Sequence, residues 1–178
     1  MDFFTTEVWT PRGLVTDYVL FVIELKTRKV ELAGITPFPG EVFMSQVARD
    51  LTDCVDGFLR DHRHVICDRD SKFTEQFRRI LGDAGVKVIS TPRQAPNCNA
   101  YAERFVLSIK SECLRRMIFF GERSFRRAVS EFVAHCHTER AHQGLGNERI
   151  ERALTMSQGD VECSERLGGL LKHYRRAA

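Results

Sequence analysis

"HVICDRDSKF", residues 64–73, contains the change of character on which the fold turns. Val65, Ile66 and Cys67 form an apolar run of strand length, and the chain becomes polar abruptly at Asp68. A short apolar run that ends in turn residues reads as a buried strand, and in α/β proteins such strands are usually parallel. Sites are assembled in the loops at the carboxyl ends of those strands. Asp68 and Asp70 occupy that position, with Arg69, Lys72 and Phe73 beside them. Two acids, two bases and an aromatic are more than an ordinary turn requires.

Upstream of this stretch, "FFTTEVWT" is aromatic and β-branched, and Pro11 and Gly13 mark the turn after it. "YVLFVIEL" (18–25) and "VELAGI" (30–35) are two further strands, and their short connections predict an antiparallel meander. The period then changes. Val42, Phe43, Val47, Leu51, Val55, Phe58 and Leu59 recur at steps of three and four, predicting a helix from Glu41 to about Arg60. Downstream, residues 74–83 read as helix and "VKVIS" as a fifth strand. A Pro/Asn-rich loop (91–99) precedes a helix from Ala100 to about Arg116. A second long helix follows from Ser124, as N-cap, to about Arg140. The expected class is α/β: a mixed five-stranded sheet, an antiparallel three-strand meander plus parallel strands, flanked by helices. Residues 1–147 read as one domain and residues 148–178 as a weakly patterned C-terminal tail with no separate domain.

Composition narrows the function. At 178 residues, 43% apolar and 29% charged, the chain has the make-up of a globular domain. No apolar run approaches the ~20 residues of a membrane-spanning helix, and "MDFFTTEVWT" lacks a signal-peptide pattern. A cytoplasmic protein without a membrane partner is expected. Six scattered cysteines without a C-x-x-C pair read as reduced thiols. His135, Cys136, His137 and His142 cluster in sequence but lack a recognised zinc spacing. Residues 1–103 hold 13 Lys+Arg against 15 Asp+Glu, and residues 104–178 hold 14 against 9. An acidic front and a basic back suit a metal site beside a polyanion; solvated helix faces rich in arginine explain the charge equally well.

If the first and fourth strands are neighbours, an acid on the first points into the crevice of Asp68, and Asp2 is the only acid before Glu7. Glu103 opens the long helix, and Lys110 follows seven residues on, two turns along the same face. Three carboxylates from separate elements are what two magnesium ions at a phosphodiester require. Singly, each acid has a plainer role: Asp68 caps a turn, Glu103 favours the helix dipole, and Asp2 belongs to a terminus. Only the constellation points to chemistry.

The constellation resembles the integrase catalytic core of insertion-sequence transposases, relatives of retroviral integrases. The resemblance spans about residues 2–147. "DFFTTEVWTPRGLVTDYVLFVIELKTRKVELAGITPFP" is similar to the family's opening strands, "CDRDSKF" to its second-aspartate motif, and "PNCNAYAERFVLSIKSE" to its glutamate helix. "HTERAHQGLGN" is similar to its downstream Arg-x-His segment. The resemblance implies a ribonuclease-H-like fold and a DDE site, with Asp2, Asp68 and Glu103 as catalytic residues and ligands of two Mg2+ ions, for which Mn2+ can substitute. Asp70 falls where relatives often carry glycine and is a bystander. Lys110 matches a lysine that contacts the transposon end, and Arg104, Arg140 and His142 join it as DNA contacts, with helix-end capping an equal alternative for Arg140 and His142. The implied function is metal-dependent strand cleavage and strand transfer in DNA transposition. Its partners are transposon ends and target DNA, and the active form is a homo-oligomer in a bacterial-type, nucleoid-associated setting.

Three departures qualify the implication. The first aspartate is residue 2, no helix-turn-helix region precedes it, and Cys136 and His137 stand where relatives often have Tyr and Asn. The chain therefore reads as a shortened reading frame or isolated core. Its alternative function is that of a catalytically inactive remnant that only binds DNA or a partner transposase. An ordinary ribonuclease-H-like nuclease is a third reading, against which the Arg-x-His segment and the glutamate helix count. Phe3, Phe21, Phe58, Phe77, Phe105 and Phe132 fall on apolar phases and are assigned to the core. Trp9, at a strand end, reads first as a packing residue and second as a base-stacking one.

Overall fold

The computed structural model describes residues 1–92, 96–151 and 159–176. Seven strands and four α-helices follow in the order β1 (Asp2–Thr10), β2 (Gly13–Ile23), β3 (Val30–Thr36), α1 (Glu41–Leu51), β4 (His64–Cys67), α2 (Glu75–Asp83), β5 (Lys87–Ser90), α3 (Ala100–Glu112), α4 (Glu122–Thr138), β6 (Val161–Arg166) and β7 (Leu171–Arg176). Strands β1, β2 and β3 pair in that order, and β4 lies parallel to β5 with Val65 opposite Val88 and Cys67 opposite Ser90. The chain divides into two compact units. One comprises Met1–Glu7, Leu14–Ile23 and Glu31–Val106; the other comprises Val8–Gly13, Glu24–Val30 and Leu107–Ala178.

The five strands expected to share one sheet are hydrogen-bonded as a three-stranded sheet and a separate parallel pair. Within the first unit, the Met1 amino group donates to the Ile66 carbonyl of β4 at 2.8 Å. One such bond at the tip of β1 aligns the two strands without making a ladder, which needs successive N–H and C=O groups in register.

Helix α1 stops at Leu51, nine residues short of the expected end at Arg60. The Thr52 hydroxyl donates back to the Ala48 carbonyl, and the Asp53 side chain accepts from the Val55 and Asp56 amides. These local bonds offer the backbone a turn in place of a further helical one. Gly57 then folds against the helix end so closely that a Cβ there would stand 2.4 Å from Asp53 N and 2.8 Å from Leu51 O. This return seats Leu59 in the core, its amide donating to the Leu51 carbonyl at 2.8 Å, while Val55 is left outside.

Helix α2 begins where expected, with the Thr74 hydroxyl accepting from the Phe77 amide. Helix α4 does not: its N-cap is Gly121, at φ 78°, and Ser124 lies inside the first turn with its hydroxyl donating to the Phe120 and Gly121 carbonyls. A left-handed residue is inexpensive for glycine, so the helix can start earlier than a serine cap would allow.

The first unit packs Leu20, Val22, Met44, Val47, Leu81 and Phe77 into one cluster, with Phe3 against Phe73. A separate ring group joins Phe4, Phe21 and Phe105, the last two with centroids 4.9 Å apart. In the second unit Phe125, Ala128, Val129 and Phe132 form the buried stripe of α4. The weakly patterned segment after residue 148 contains the antiparallel hairpin β6–β7. Arg166 of β6 donates to Glu131 at 2.7 Å and to Glu139 at 2.8 Å, and Leu171 is buried. Polar side chains on both strands hide this hairpin from a search for apolar alternation. No helix among the described residues is long and apolar enough to cross a membrane.

Candidate functional site

Asp2 opens β1 and Asp68 follows β4, and both belong to the first unit. Asp2 is half-buried. Its Oδ1 accepts from the Phe3 amide at 2.7 Å, and its Oδ2 accepts from the Asn99 side-chain amide at 2.9 Å. Burial pushes the Asp2 carboxyl above the usual carboxylate range, and the negative charge of Asp68 adds to the rise, against the opposing Phe3 and Asn99 hydrogen bonds and the Met1 ammonium. The two carboxylates are therefore near enough to act on one another. The Asp68 carboxylate also accepts from the Asp70 amide at 3.1 Å, in a turn that fixes its direction.

Asp70 is occupied differently. Partial burial by itself raises its carboxyl pKa, but the Lys72 side chain and amide more than offset this and hold it below the ordinary value. The Lys72 ammonium also stands 5.3 Å from the Phe3 ring centroid and 5.5 Å from that of Tyr18. An acid so neutralised adds little negative potential, in keeping with a bystander. Arg69 donates to the Thr91 carbonyl at 2.9 Å, and Arg78 donates to the Ser90 hydroxyl at 3.1 Å, bracing the loop after β4 against the end of β5.

Glu103 lies in the first turn of α3 with its side chain exposed. Among the described residues no group of three or more His, Cys, Asp or Glu side chains is gathered as a metal site would need. Asp2 and Asp68 come together; Glu103 does not join them. The arrangement as it stands does not fit a complete three-carboxylate metal site.

Arg104 is exposed in the first unit, while Lys110, Arg140 and His142 belong to the second. Arg140 pairs with Glu112 at 2.7 Å, and the His142 Nε2 bonds the Cys136 carbonyl at 2.8 Å. That contact satisfies a carbonyl in the last turn of α4, the helix-end role. Burial pushes the thiols of Cys113 and Cys136 up to about 11, so both are protonated at neutral pH. Asn99 is the residue of this site that sequence reading passed over. Its only signal was a place in the loop just ahead of the glutamate helix.

The family model described as "Integrase core domain" matches residues 84–148. Over that stretch the chain is similar to an integrase core domain. The matched residues include Glu103, Arg104, Lys110, Arg140 and His142, and begin downstream of Asp2 and Asp68. No curated protein matches the chain. Among solved structures, the chain is similar to a chain of a simian T-cell lymphotropic virus intasome in complex with PP2A regulatory subunit B56 gamma. Identity is 11% and the TM-score 0.52; the alignment covers 99% of this chain and 66% of that one. That likeness shows the fold, ribonuclease-H-like α/β, and this chain spans about two thirds of that chain's length. A second similar structure is the catalytic core domain of BIV integrase, at 12% identity and a TM-score of 0.48, covering 84% of this chain and 90% of that one.

Proposed function

We propose that this chain is the integrase-like catalytic core of a DNA transposase, a polynucleotidyl transferase that cleaves a strand at a DNA end and joins the freed 3′-hydroxyl to target DNA. Asp2 and Asp68 are its reacting carboxylates, Glu103, exposed and apart from them in this structure, is the third that a complete site would need, and Lys110, Arg104, Arg140 and His142 are its DNA contacts. It acts as a homo-oligomer in the cytoplasm, at the nucleoid. The observation that carries the reading is the convergence of Asp2 and Asp68, strong enough for one charge to raise the other's pKa. Asp2 is a partly desolvated acid whose pKa is raised beside a second carboxylate in spite of the nearby Met1 ammonium, and perturbed acids of this kind cluster at functional sites. The match over residues 84–148 supports the same class.

Magnesium, with manganese able to replace it, is proposed as the cofactor. Its chemistry would be to compensate carboxylate charge and polarise a phosphodiester. The chain's own contributions are separable from it. Asn99 holds one Asp2 oxygen in place, and the Asp68 turn aims the second carboxylate. Lys72 keeps Asp70 from adding a further negative charge.

A second reading is a catalytically silent core that binds DNA or a partner transposase. The exposed Glu103, apart from the aspartate pair, favours it. Nicking of an end-labelled duplex in magnesium or manganese decides between them. The expected result is metal-dependent nicking by the native chain, lost in Asp68→Asn and in Glu103→Gln while duplex binding is kept. Nicking that survives Glu103→Gln removes that residue from the site, and binding without nicking in the native chain leaves the silent reading.

A further inference from the structure

We propose that the second unit carries a contact surface for single-stranded DNA, with Trp9 and Phe120 as its base-stacking platform and Arg12, Arg115, Arg123 and Arg127 as its phosphate partners. The proposal takes only the class of polymer from the proposed function; the surface itself is read from the side chains.

Trp9 and Phe120 are partners in a parallel β-bridge. The Trp9 amide donates to the Phe119 carbonyl at 2.9 Å, and the Gly121 amide donates to the Trp9 carbonyl at 2.7 Å. Bridged residues sit about 5 Å apart with side chains leaving the same face. Their chain neighbours turn inward: Val8 and Phe119 are buried, the latter with its ring against Phe125 at 5.3 Å. Trp9 and Phe120 are thus thrown outward together, 51% and 74% exposed. Packing does not account for them, contrary to the first sequence reading of Trp9. The bridge fixes their backbones, so the platform is held in place before any ligand arrives.

Four arginines close to this pair in the sequence are uncompensated. Arg126, Arg140 and Arg166 are each paired with glutamates. Arg12, Arg115, Arg123 and Arg127 are exposed and have no ion pair among the described residues. Arg12 lies in the turn that β1 enters just after Trp9, Arg115 lies five residues before Phe120, and Arg123 and Arg127 follow it in the first turns of α4. Those last two are four residues apart and share a helix face. Exposed aromatic faces beside unpaired guanidinium groups are the combination that binds unpaired strands: bases stack on the rings while cations follow the phosphates. A duplex keeps its bases stacked internally and offers the rings nothing.

Trp9 is the only tryptophan in the chain, so intrinsic fluorescence reports this site alone. The full chain in metal-free buffer is titrated with an oligothymidylate of about 12 nucleotides, within the usual site size. Saturable quenching is expected, weaker with the corresponding duplex, and Phe120→Ala should raise the Kd about tenfold. Arg123→Gln combined with Arg127→Gln should raise the Kd and flatten the plot of log K against log salt by about 1.4. Phe38→Ala, an equally exposed change in the other unit, should leave the Kd unchanged. Absent quenching, quenching indifferent to Phe120→Ala, or equal quenching by duplex overturns the proposal. So does a dimer in sedimentation that Phe120→Ala disperses, which would make the patch a contact between two copies of the chain. Metal-dependent nicking is measured in parallel. Quenching without nicking defeats the catalytic reading alone, and nicking without quenching defeats this one alone.

Discussion

His137 shows how one buried side chain sets a pH limit on the fold. Its Nε2 accepts the Val30 amide at 3.0 Å, and its Nδ1 stands 3.9 Å from the Glu151 carboxylate. An accepting Nε2 requires the neutral ring, because the imidazolium would present a proton to the Val30 N–H. Burial lowers the His137 pKa below its ordinary 6.5, and Lys29 and His142 add to the fall against the pull of Glu151. The unfolded chain then binds more protons than the folded one at pH values between the folded pKa and 6.5, so stability falls as pH falls through that window. His137→Gln keeps an acceptor and does not titrate. Thermal melts at pH 8 and pH 5.5 should show a smaller loss for that variant than for the native chain. Equal losses would assign the pH dependence to other groups. Sequence reading singled out His137 as a member of a histidine and cysteine cluster without zinc spacing and as a departure from its relatives' asparagine; its task became visible when β3 supplied an N–H.

At the scale of elements, the end of α1 is the sharpest case. The apolar spacing carries on through Val55, Phe58 and Leu59, yet the helix stops at Leu51. Periodicity cannot register a reversal in which Leu59 still reaches the core by another route. Gly57 makes the reversal feasible, since backbone atoms of Asp53 and Leu51 occupy the space where a Cβ would stand. Backbone cannot yield as a flexible side chain does. Gly57→Ala should therefore cost about 2–4 kcal/mol. Gly40→Ala, at an open position with ordinary φ, adds no clash and should cost no more than about 1 kcal/mol, the loss expected where alanine replaces glycine at the N-cap of α1. Urea unfolding of the two variants checks both, and equal midpoints would show that the loop relaxes around the added methyl. Helix α2 is the counter-example: Thr74, Phe77 and Leu81 stand where cap and period put them, because local bonds decide that element.

For the whole molecule, the charge distribution suits a polyanionic partner. The net charge is +3, gathered in the back half of the sequence, and several of its arginines lack acidic partners among the described residues. Binding to arbitrary duplex DNA should be salt-dependent, weakening at least tenfold between 50 and 200 mM salt if three or more phosphates are neutralised. Glu103→Gln should not reduce it. Fluorescence anisotropy of a labelled duplex across that range gives the slope, and a flat response would mean that the basic groups do not face the nucleic acid.

The sequence by itself determined the order of β1 to β5 and the four α-helices, the buried face of α2, and the position of Asp68 at the end of a buried strand. These follow from hydrophobic period and local hydrogen bonding, which neighbouring residues settle among themselves. Tertiary structure alone decided the pairing of Asp2 with Asp68, the Asn99 amide on Asp2, the exposure of Glu103, and the outward Trp9 beside Phe120. Each of these depends on two segments distant in the chain that meet through the packing of other residues, and no local pattern encodes such a meeting.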